Sequence, residues 1–387
     1  KKNIFTRSMK LYQKSKNKIM LGMPYMGSKR KLASKIVDKI LEDNPNTKYV
    51  YDLFGGGGAI SFEFLQRPQI KKVVYNELNT GIVELLKDIR DNGITDKYYQ
   101  WIDRQTFLEN KDKNDWFGGL CKCIWSFGNN QSAYLFGKEI EENKRLAHLI
   151  VVNKDIDALK KLSRILNIEI PLSILDKKNI QERRLDFRKV IVFNKKIVST
   201  EQLQQLQQLE QLKRLQQLEQ TDETRPDLEQ LERLQQLEQL QQLEQLEQLE
   251  IQNLSYEKVA ITTPIEETII YLDPPYIGKS EYQKKINHND LYNYIKNSPY
   301  KIYLSSYESP MRCAAEFQHK TTLAKSNKKY VVEKLFYKNS GEVFNFEPMV
   351  YKKETIKTCP SCGGRLIKTK SGILTCEDCF TEVNHTI

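Results

Sequence analysis

A strand that runs into four consecutive glycines and then into a helix leaves few choices of fold. Tyr49-Val50-Tyr51-Asp52-Leu53-Phe54 reads as a buried strand, Gly55-Gly56-Gly57-Gly58 follows at once, and residues 59–66 are helix-forming. Strand, glycine turn and helix form a nucleotide-binding arrangement of α/β proteins, because glycine lets the backbone approach a ligand closely. The loop lacks the spaced glycines of the dinucleotide fingerprint and the lysine of a phosphate loop, so no phosphate is implied. A second apolar strand, Lys72-Val73-Val74-Tyr75, ends at Asn76-Glu77, and a carboxylate there commonly accepts from two ribose hydroxyls. A nucleoside ligand without a pyrophosphate fits S-adenosylmethionine, whose sulfonium is expected to face Phe54 or Tyr276 by cation–π attraction.

A third apolar run, Thr268-Ile269-Ile270-Tyr271-Leu272, leads directly into Asp273-Pro274-Pro275-Tyr276. An exocyclic amine on adenine is a poor nucleophile, since its lone pair is delocalised into the ring. The Asp273 carboxylate and the Pro274 carbonyl can each accept one N–H and localise that pair, and neither proline adds a competing backbone donor. Fixed proline φ angles hold the acceptors ready before substrate arrives. Tyr276 would stack on a base extracted from the duplex. The blander reading of the tetrapeptide is a tight turn after a strand.

Towards the N-terminus, Tyr25-Met26-Gly27-Ser28-Lys29-Arg30-Lys31-Leu32 precedes an amphipathic stretch that runs through Ile40, with Ser28 as its expected cap. Eleven basic residues precede the first acid, Asp38, as many as the net charge of +11 for the whole chain. Such a cluster, including Lys29, Arg30 and Lys31, suits a surface that tracks phosphates, or else a solvated tail.

Together these segments resemble the Dam-type adenine-N6 DNA methyltransferases, particularly those of phages and restriction-modification systems, over residues 24 to about 339 apart from a repeat described below. That family orders a donor-binding motif, a glycine-rich loop, an acid after the next strand, a recognition region and the catalytic tetrapeptide. Tyr25-Met26-Gly27-Ser28-Lys29, Asp52-Leu53-Phe54-Gly55-Gly56-Gly57-Gly58, Glu77 and Asp273-Pro274-Pro275-Tyr276 occupy those slots here. Further matches are Trp125-Ser126-Phe127-Gly128-Asn129-Asn130-Gln131, Tyr303-Leu304-Ser305-Ser306-Tyr307-Glu308-Ser309-Pro310 and Glu333-Lys334-Leu335-Phe336. The resemblance implies an α/β, Rossmann-like methyltransferase fold with a helical recognition subdomain. It also implies that Asp273, Pro274 and Tyr276 act on a flipped adenine. S-adenosylmethionine would be held by Tyr25, Met26, Gly27, Lys29, Asp52, Phe54, Gly55, Gly56, Gly57, Glu77 and Asp273. The expected reaction is methyl transfer to adenine N6 in double-stranded DNA. The alternatives are an RNA or protein methyltransferase of the same fold, or a non-catalytic DNA-binding scaffold.

Within the recognition stretch, the amides of Asn129, Asn130 and Gln131 suit bidentate contacts to adenine in the major groove, and Lys122 and Lys138 suit phosphates. A polar turn between two elements would look the same. Tyr134 and Phe136 fit either a core or a wedge against bases.

Between residues 201 and 250 the composition changes to Leu, Gln and Glu. Leucine recurs every third residue over 203–218 and 228–249, with Pro226 in the break. Propensity favours two helices, yet a three-residue period moves each leucine about 60° round the axis, so no single face stays apolar. Helix is the expectation, solenoid the alternative. Twelve acids stand against four bases there, which disfavours contact with phosphates and suggests an arm placed away from DNA that binds a protein partner.

Cys359-Pro360-Ser361-Cys362 and Cys376-Glu377-Asp378-Cys379 are two knuckles thirteen residues apart. Four thiolates at that spacing describe a structural Zn2+ site in a small C-terminal ribbon. Cys121, Cys123 and Cys313 have no metal spacing and read as buried thiols in a reducing cytoplasm. No apolar stretch would cross a bilayer and no signal peptide is expected, which points to the cytoplasm of a bacterium or a phage-infected host. The expected division is 1–93 (donor half of the core), 94–193 (recognition), 194–254 (repeat), 255–345 (catalytic half) and 346–387 (ribbon).

Overall fold

A computed structural model describes residues 21–206, 228–241, 246–275, 286–320, 330–347, 366–368, 374–376 and 382–383. The chain divides into a main unit, residues 1–286 with 293–344, and a small one, residues 287–292 with 345–387.

The main unit is built on seven strands: β1 (Tyr49–Asp52), β2 (Lys72–Asn76), β3 (Leu249–Gln252), β4 (Thr268–Leu272), β5 (Lys301–Ser306), β6 (Arg312–Lys320) and β7 (Tyr330–Lys338). Their order across the sheet is β3-β2-β1-β4-β5-β7-β6. The first five run parallel, and β7 lies antiparallel between β5 and β6. All five residues of β4 are buried, as a central strand covered on both faces requires. The chain leaves β1 towards β2 and β3, then returns to the other side of β1 as β4. That reversal puts the carboxyl ends of β1 and β4 at a topological switch point, where open α/β sheets bind ligands. This is a mixed α/β architecture with a seven-stranded sheet, consistent with a methyltransferase fold.

Helix α1 (Ala33–Asp43) packs Ile36, Val37 and Ile40 into the core. Its cap position is Leu32 and makes no side-chain cap bond, while the Ser28 hydroxyl is buried without a partner, so the expected Ser28 cap does not form. Helix α2 (Ala59–Leu65) follows the glycines and is buried along its whole length. Next come α3 (Thr80–Asn92), α4 (Arg104–Asn110), α5 (Trp116–Ile124), α6 (Lys138–His148), α7 (Ile156–Leu166) and α8 (Ile180–Leu206). Asp103, Asp115 and Asp155 cap α4, α5 and α7 by accepting from the backbone N–H groups of Thr106, Gly118 and Ala158. Helices α3 and α5 cross closely: a Cβ on Gly119 would stand 2.0 Å from the Gly81 carbonyl oxygen, so only glycine fits. Tyr134, Phe136 and His148 are buried in one aromatic cluster with buried Trp125 and half-buried Trp101, which settles the first two as core residues.

The repeat is helical, as expected, over 201–206 and 229–241, and departs from expectation at its end. Residues 201–206 end α8, and residues 229–241 form α9 (Glu229–Gln241). Leu228, Leu231, Leu234, Leu237 and Leu240 are all buried, and so are Gln230 and Arg233. A three-residue leucine period spreads apolar side chains around the axis, and a helix walled in on several sides buries them all. Leu249–Gln252 is not helical at all: it is the edge strand β3, in register with Val73, Val74, Tyr75 and Asn76 of β2. Residues 228–241 and 246–252 are therefore integral to the main unit and not an arm held apart from it. Helix α10 (His288–Asn297) precedes β5 in sequence. In the small unit, β8 (Leu366–Lys368), β9 (Leu374–Cys376) and β10 (Glu382–Val383) form an antiparallel sheet in the order β10-β9-β8.

Candidate active site

Two loops leave the same edge of the sheet from adjacent strands. Leu53 N–H donates to the Tyr271 carbonyl (3.1 Å), which aligns the end of β1 with the end of β4 just before Asp273. The glycine loop is held by its neighbours. Gly55 N–H donates to the Asn76 carbonyl (2.8 Å), the Tyr75 hydroxyl donates to the Gly56 carbonyl (2.7 Å), and Met23 N–H donates to the Gly57 carbonyl (2.7 Å). A Cβ on Gly57 would meet the Met23 carbonyl oxygen at 2.6 Å, and Gly58 has φ of +74° with the Phe62 ring 2.4 Å from where its Cβ would lie. The N-terminal segment thus lies directly on the loop, with the Tyr25 ring beside Gly56.

Glu77, at the end of β2, is buried. Its Oε2 accepts from Gly56 N–H (2.9 Å) and its Oε1 from Asn79 N–H (2.8 Å). Burial raises the pKa of its carboxyl, against the pull of those backbone donors. Asn76 ties three strand ends together: its amide donates to the Leu53 and Leu254 carbonyls (3.1 and 3.0 Å) and its Oδ1 accepts from Leu254 N–H (3.0 Å). Asp52 is 1 % exposed; its Oδ2 accepts from the Ser61 hydroxyl (2.7 Å), and its Oδ1 has no partner. Burial pushes its pKa up to about 7, with the charges of Asp273 and Glu77 adding to the effect.

Asp273 does not stand alone. Lys29 Nζ donates to Asp273 Oδ1 at 2.9 Å and lies 3.6 Å from Glu333 Oε1 on β7; Lys29 and Glu333 are both buried. Lys29, grouped from sequence both with the phosphate-tracking cations and with the donor-binding residues, is buried beside these two carboxylates. Lys122 is likewise buried: it sits on the inner side of α5, donates to Asn79 Oδ1 (3.2 Å), and has its pKa lowered by desolvation. Gln131 is also buried, and its Oε1 accepts from the Asn79 amide (3.0 Å). Asn79 thus links Glu77 to both residues that had been expected at the DNA. Arg30 donates to Gln236 Oε1 of α9 (2.5 Å), and Lys31 is exposed. Met26 is half-buried and Gly27 exposed beside Tyr25. The Phe54 ring packs on Tyr256 with centroids 5.2 Å apart.

The recognition stretch forms a tight hairpin. Ser126 pairs with Tyr134, Phe127 N–H donates to the Ala133 carbonyl (2.8 Å), and Leu135 N–H to the Trp125 carbonyl (2.8 Å). At its tip Gly128, Asn129 and Gln131 have positive φ, Asn130 Oδ1 accepts from Ser132 and Ala133 N–H (both 3.0 Å), and Phe127 is 63 % exposed. Asn129 and Asn130 remain half-buried at the surface.

Sequence reasoning missed Glu333, Asn76 and Asn79 as site residues. Glu333 lay within a recognised segment, and Asn76 adjoins Glu77; only the pairing of strands reveals what they hold. Tyr276, Cys359, Cys362 and Cys379 lie outside the described residues, and Cys376 ends β9. Among the described residues no cluster of His, Cys, Asp or Glu is arranged to hold a metal, and no helix is long and apolar enough to cross a membrane.

The comparison with curated proteins gives no match. A family model described as D12 class N6 adenine-specific DNA methyltransferase matches residues 25–211 and 227–347, and the second interval takes in α9 and β3. That match spans most of the chain and every described element of the site, so the chain belongs to the D12 class N6 adenine-specific DNA methyltransferase family.

Proposed function

We propose that adenine N6 methylation of DNA, the activity of this family, is carried out where β1 and β4 end, with Asp273, Pro274 and Tyr276 acting on an adenine flipped out of duplex DNA. The observation that carries this reading is the adjacency of the two strands, which delivers the glycine loop and Asp273 to one edge. S-adenosylmethionine, the donor the family implies, fits the residues there. Glu77 has lone pairs left for ribose hydroxyls after accepting two backbone N–H groups, and buried Asp52 Oδ1 is an acceptor still lacking a donor. Tyr25, Met26 and Gly27 border the glycine loop, and Phe54 offers an aromatic face for a cation. Bound S-adenosylmethionine supplies an electrophilic methyl group.

The chain's own part is to aim the nucleophile. Lys29 pins Asp273 Oδ1, and Glu333 steadies Lys29 from the opposite side, so the carboxylate is oriented before substrate arrives. Asp273 and the Pro274 carbonyl then accept the two N6 hydrogens and direct the lone pair towards the methyl group. Tyr276 stacks on the base. Asn129 and Asn130 at the hairpin tip donate amide N–H groups to base edges, their oxygens being taken by the turn (Asn130) or buried (Asn129), and exposed Lys31 meets phosphate.

Cys359, Cys362, Cys376 and Cys379 hold a structural zinc ion; the donor set is four thiolates in two knuckles, and a short antiparallel sheet delivers Cys376. The net-acidic repeat, twelve acids against four bases over 201–250, suits a protein partner and not phosphate. A cytoplasmic setting in a restriction-modification or phage context accords with this activity. The deciding experiment is Asp273→Ala: transfer of methyl label to DNA is abolished while donor binding by calorimetry persists. Full activity in that variant would refute the assignment.

A further inference from the structure

Arg233 is the one arginine of α9, and it is 4 % exposed. Its Nη1 donates to two backbone carbonyls, Ile124 (2.9 Å) and Ser126 (2.7 Å), and its Nη2 to Glu229 Oε1 (2.6 Å). Ile124 is the last residue of α5, so its carbonyl is among those a helix leaves without an intrahelical partner. Ser126 opens the hairpin, on the strand side that pairs with Tyr134. One guanidinium nitrogen with two hydrogens therefore spans the junction between helix and hairpin. A lysine would bring a point charge to the same place without the planar fork.

Four other polar side chains of α9 engage elsewhere. Gln236 accepts from Arg30, Glu232 pairs with Arg184, Glu238 accepts from Tyr99, and Gln230 meets His148 Nδ1 at 3.4 Å. Arg233 thus stands apart from them in holding the 124–126 junction. From that junction the chain passes directly to Phe127, Gly128, Asn129 and Asn130 at the tip, where Gly128 and Asn129, and Gln131 just beyond, have positive φ. The tip is held on its far side by buried Gln131, which accepts from Asn79, and at its near side by this junction.

We propose that Arg233, in the Leu/Gln/Glu repeat, is a positioning residue for DNA recognition: by holding the Ile124 and Ser126 carbonyls it sets the angle at which the 127–133 tip meets DNA. This rests on the reading of that tip as DNA-contacting. It gives part of the compositionally simple segment a task in substrate selection that no simple helix filler would have.

The test uses the full chain with bacterial genomic DNA free of adenine methylation. Label transfer from S-adenosylmethionine gives KM for DNA and kcat, calorimetry gives donor binding, and sequencing of methylated adenines gives the sites chosen. Arg233→Lys raises the DNA KM roughly tenfold, the scale of one lost charge-assisted hydrogen bond. It leaves kcat at saturating DNA and donor affinity near the parent values, and it broadens the sites methylated. Asn129→Gly, which keeps the positive φ and deletes the amide, reports on the tip itself. Added to Asn129→Gly, Arg233→Lys raises KM less than it does alone, since both act through the same loop. An unchanged DNA KM in Arg233→Lys, with Asn129→Gly impaired, overturns the proposal. Loss of donor binding in Arg233→Lys also overturns it, by making Arg233 a fixture of the whole fold. If Asn129→Gly leaves KM and site choice untouched, the reading of the tip fails first and the positioning role falls with it.

Discussion

Asp52 shows how a single buried carboxyl couples the site to pH. Its pKa in the fold is about 7 against an ordinary 3.8, so between those values the native state holds a proton that the unfolded chain has released. Stability from this group is therefore full below about pH 4 and declines as pH rises to about 7, by at most about 1.4 kcal/mol per pH unit. Asp52→Asn removes the dependence, so the variant's Tm should change less than the parent's between pH 5 and pH 7. Equal slopes in the two proteins would exclude Asp52 as the cause. Lys29 illustrates a different point at the same scale. Its position in a basic run suggests an exposed cation, but the following turn tucks it between Asp273 and Glu333, where its charge serves carboxylates instead of phosphate.

Helix α9 is the element whose character depends most on context. Its leucines would form no continuous stripe on an isolated helix, yet Leu231, Leu234, Leu237 and Leu240 are each 0 % exposed because neighbours wall the helix on several sides. Leu234→Ala should cost about 2–5 kcal/mol in urea unfolding, as for other fully buried leucines. A cost near that of a surface change, below about 0.5 kcal/mol, would mean that the repeat does not pack as described. The same block shows propensity yielding to position. Residues 249–252 have the helix-favouring Leu and Glu of the rest, but β2 offers an unpaired edge and the backbone takes it as β3.

For the whole molecule, the reversal of strand order around β1 is what brings the loops of the candidate site together, and the zinc site proposed for the C-terminal cysteines is tested separately. Metal analysis of the purified protein should find about one zinc per chain, reduced to near zero in Cys359→Ser with Cys362→Ser. Undiminished zinc in that double variant would place the ion elsewhere. The three described strands of the small unit are only two or three residues long, and units of that size usually depend on a metal or disulfides.

Much was legible in advance because it is local. The strands at 49–52, 72–76 and 268–272 announce themselves by apolar composition, the glycines by their freedom of backbone, and the tetrapeptide after Leu272 by the acceptors it carries without donors. Those properties belong to neighbouring residues and need no knowledge of what packs against them. The pairing of Lys29 with Asp273, the burial of Lys122 and Gln131 around Asn79, the hold of Arg233 on the hairpin, and the use of a repeat as helix and edge strand all join residues far apart in the chain. Whether a polar or charged side chain meets solvent, DNA or another side chain depends on which surfaces the fold brings together, and that is decided by long-range packing.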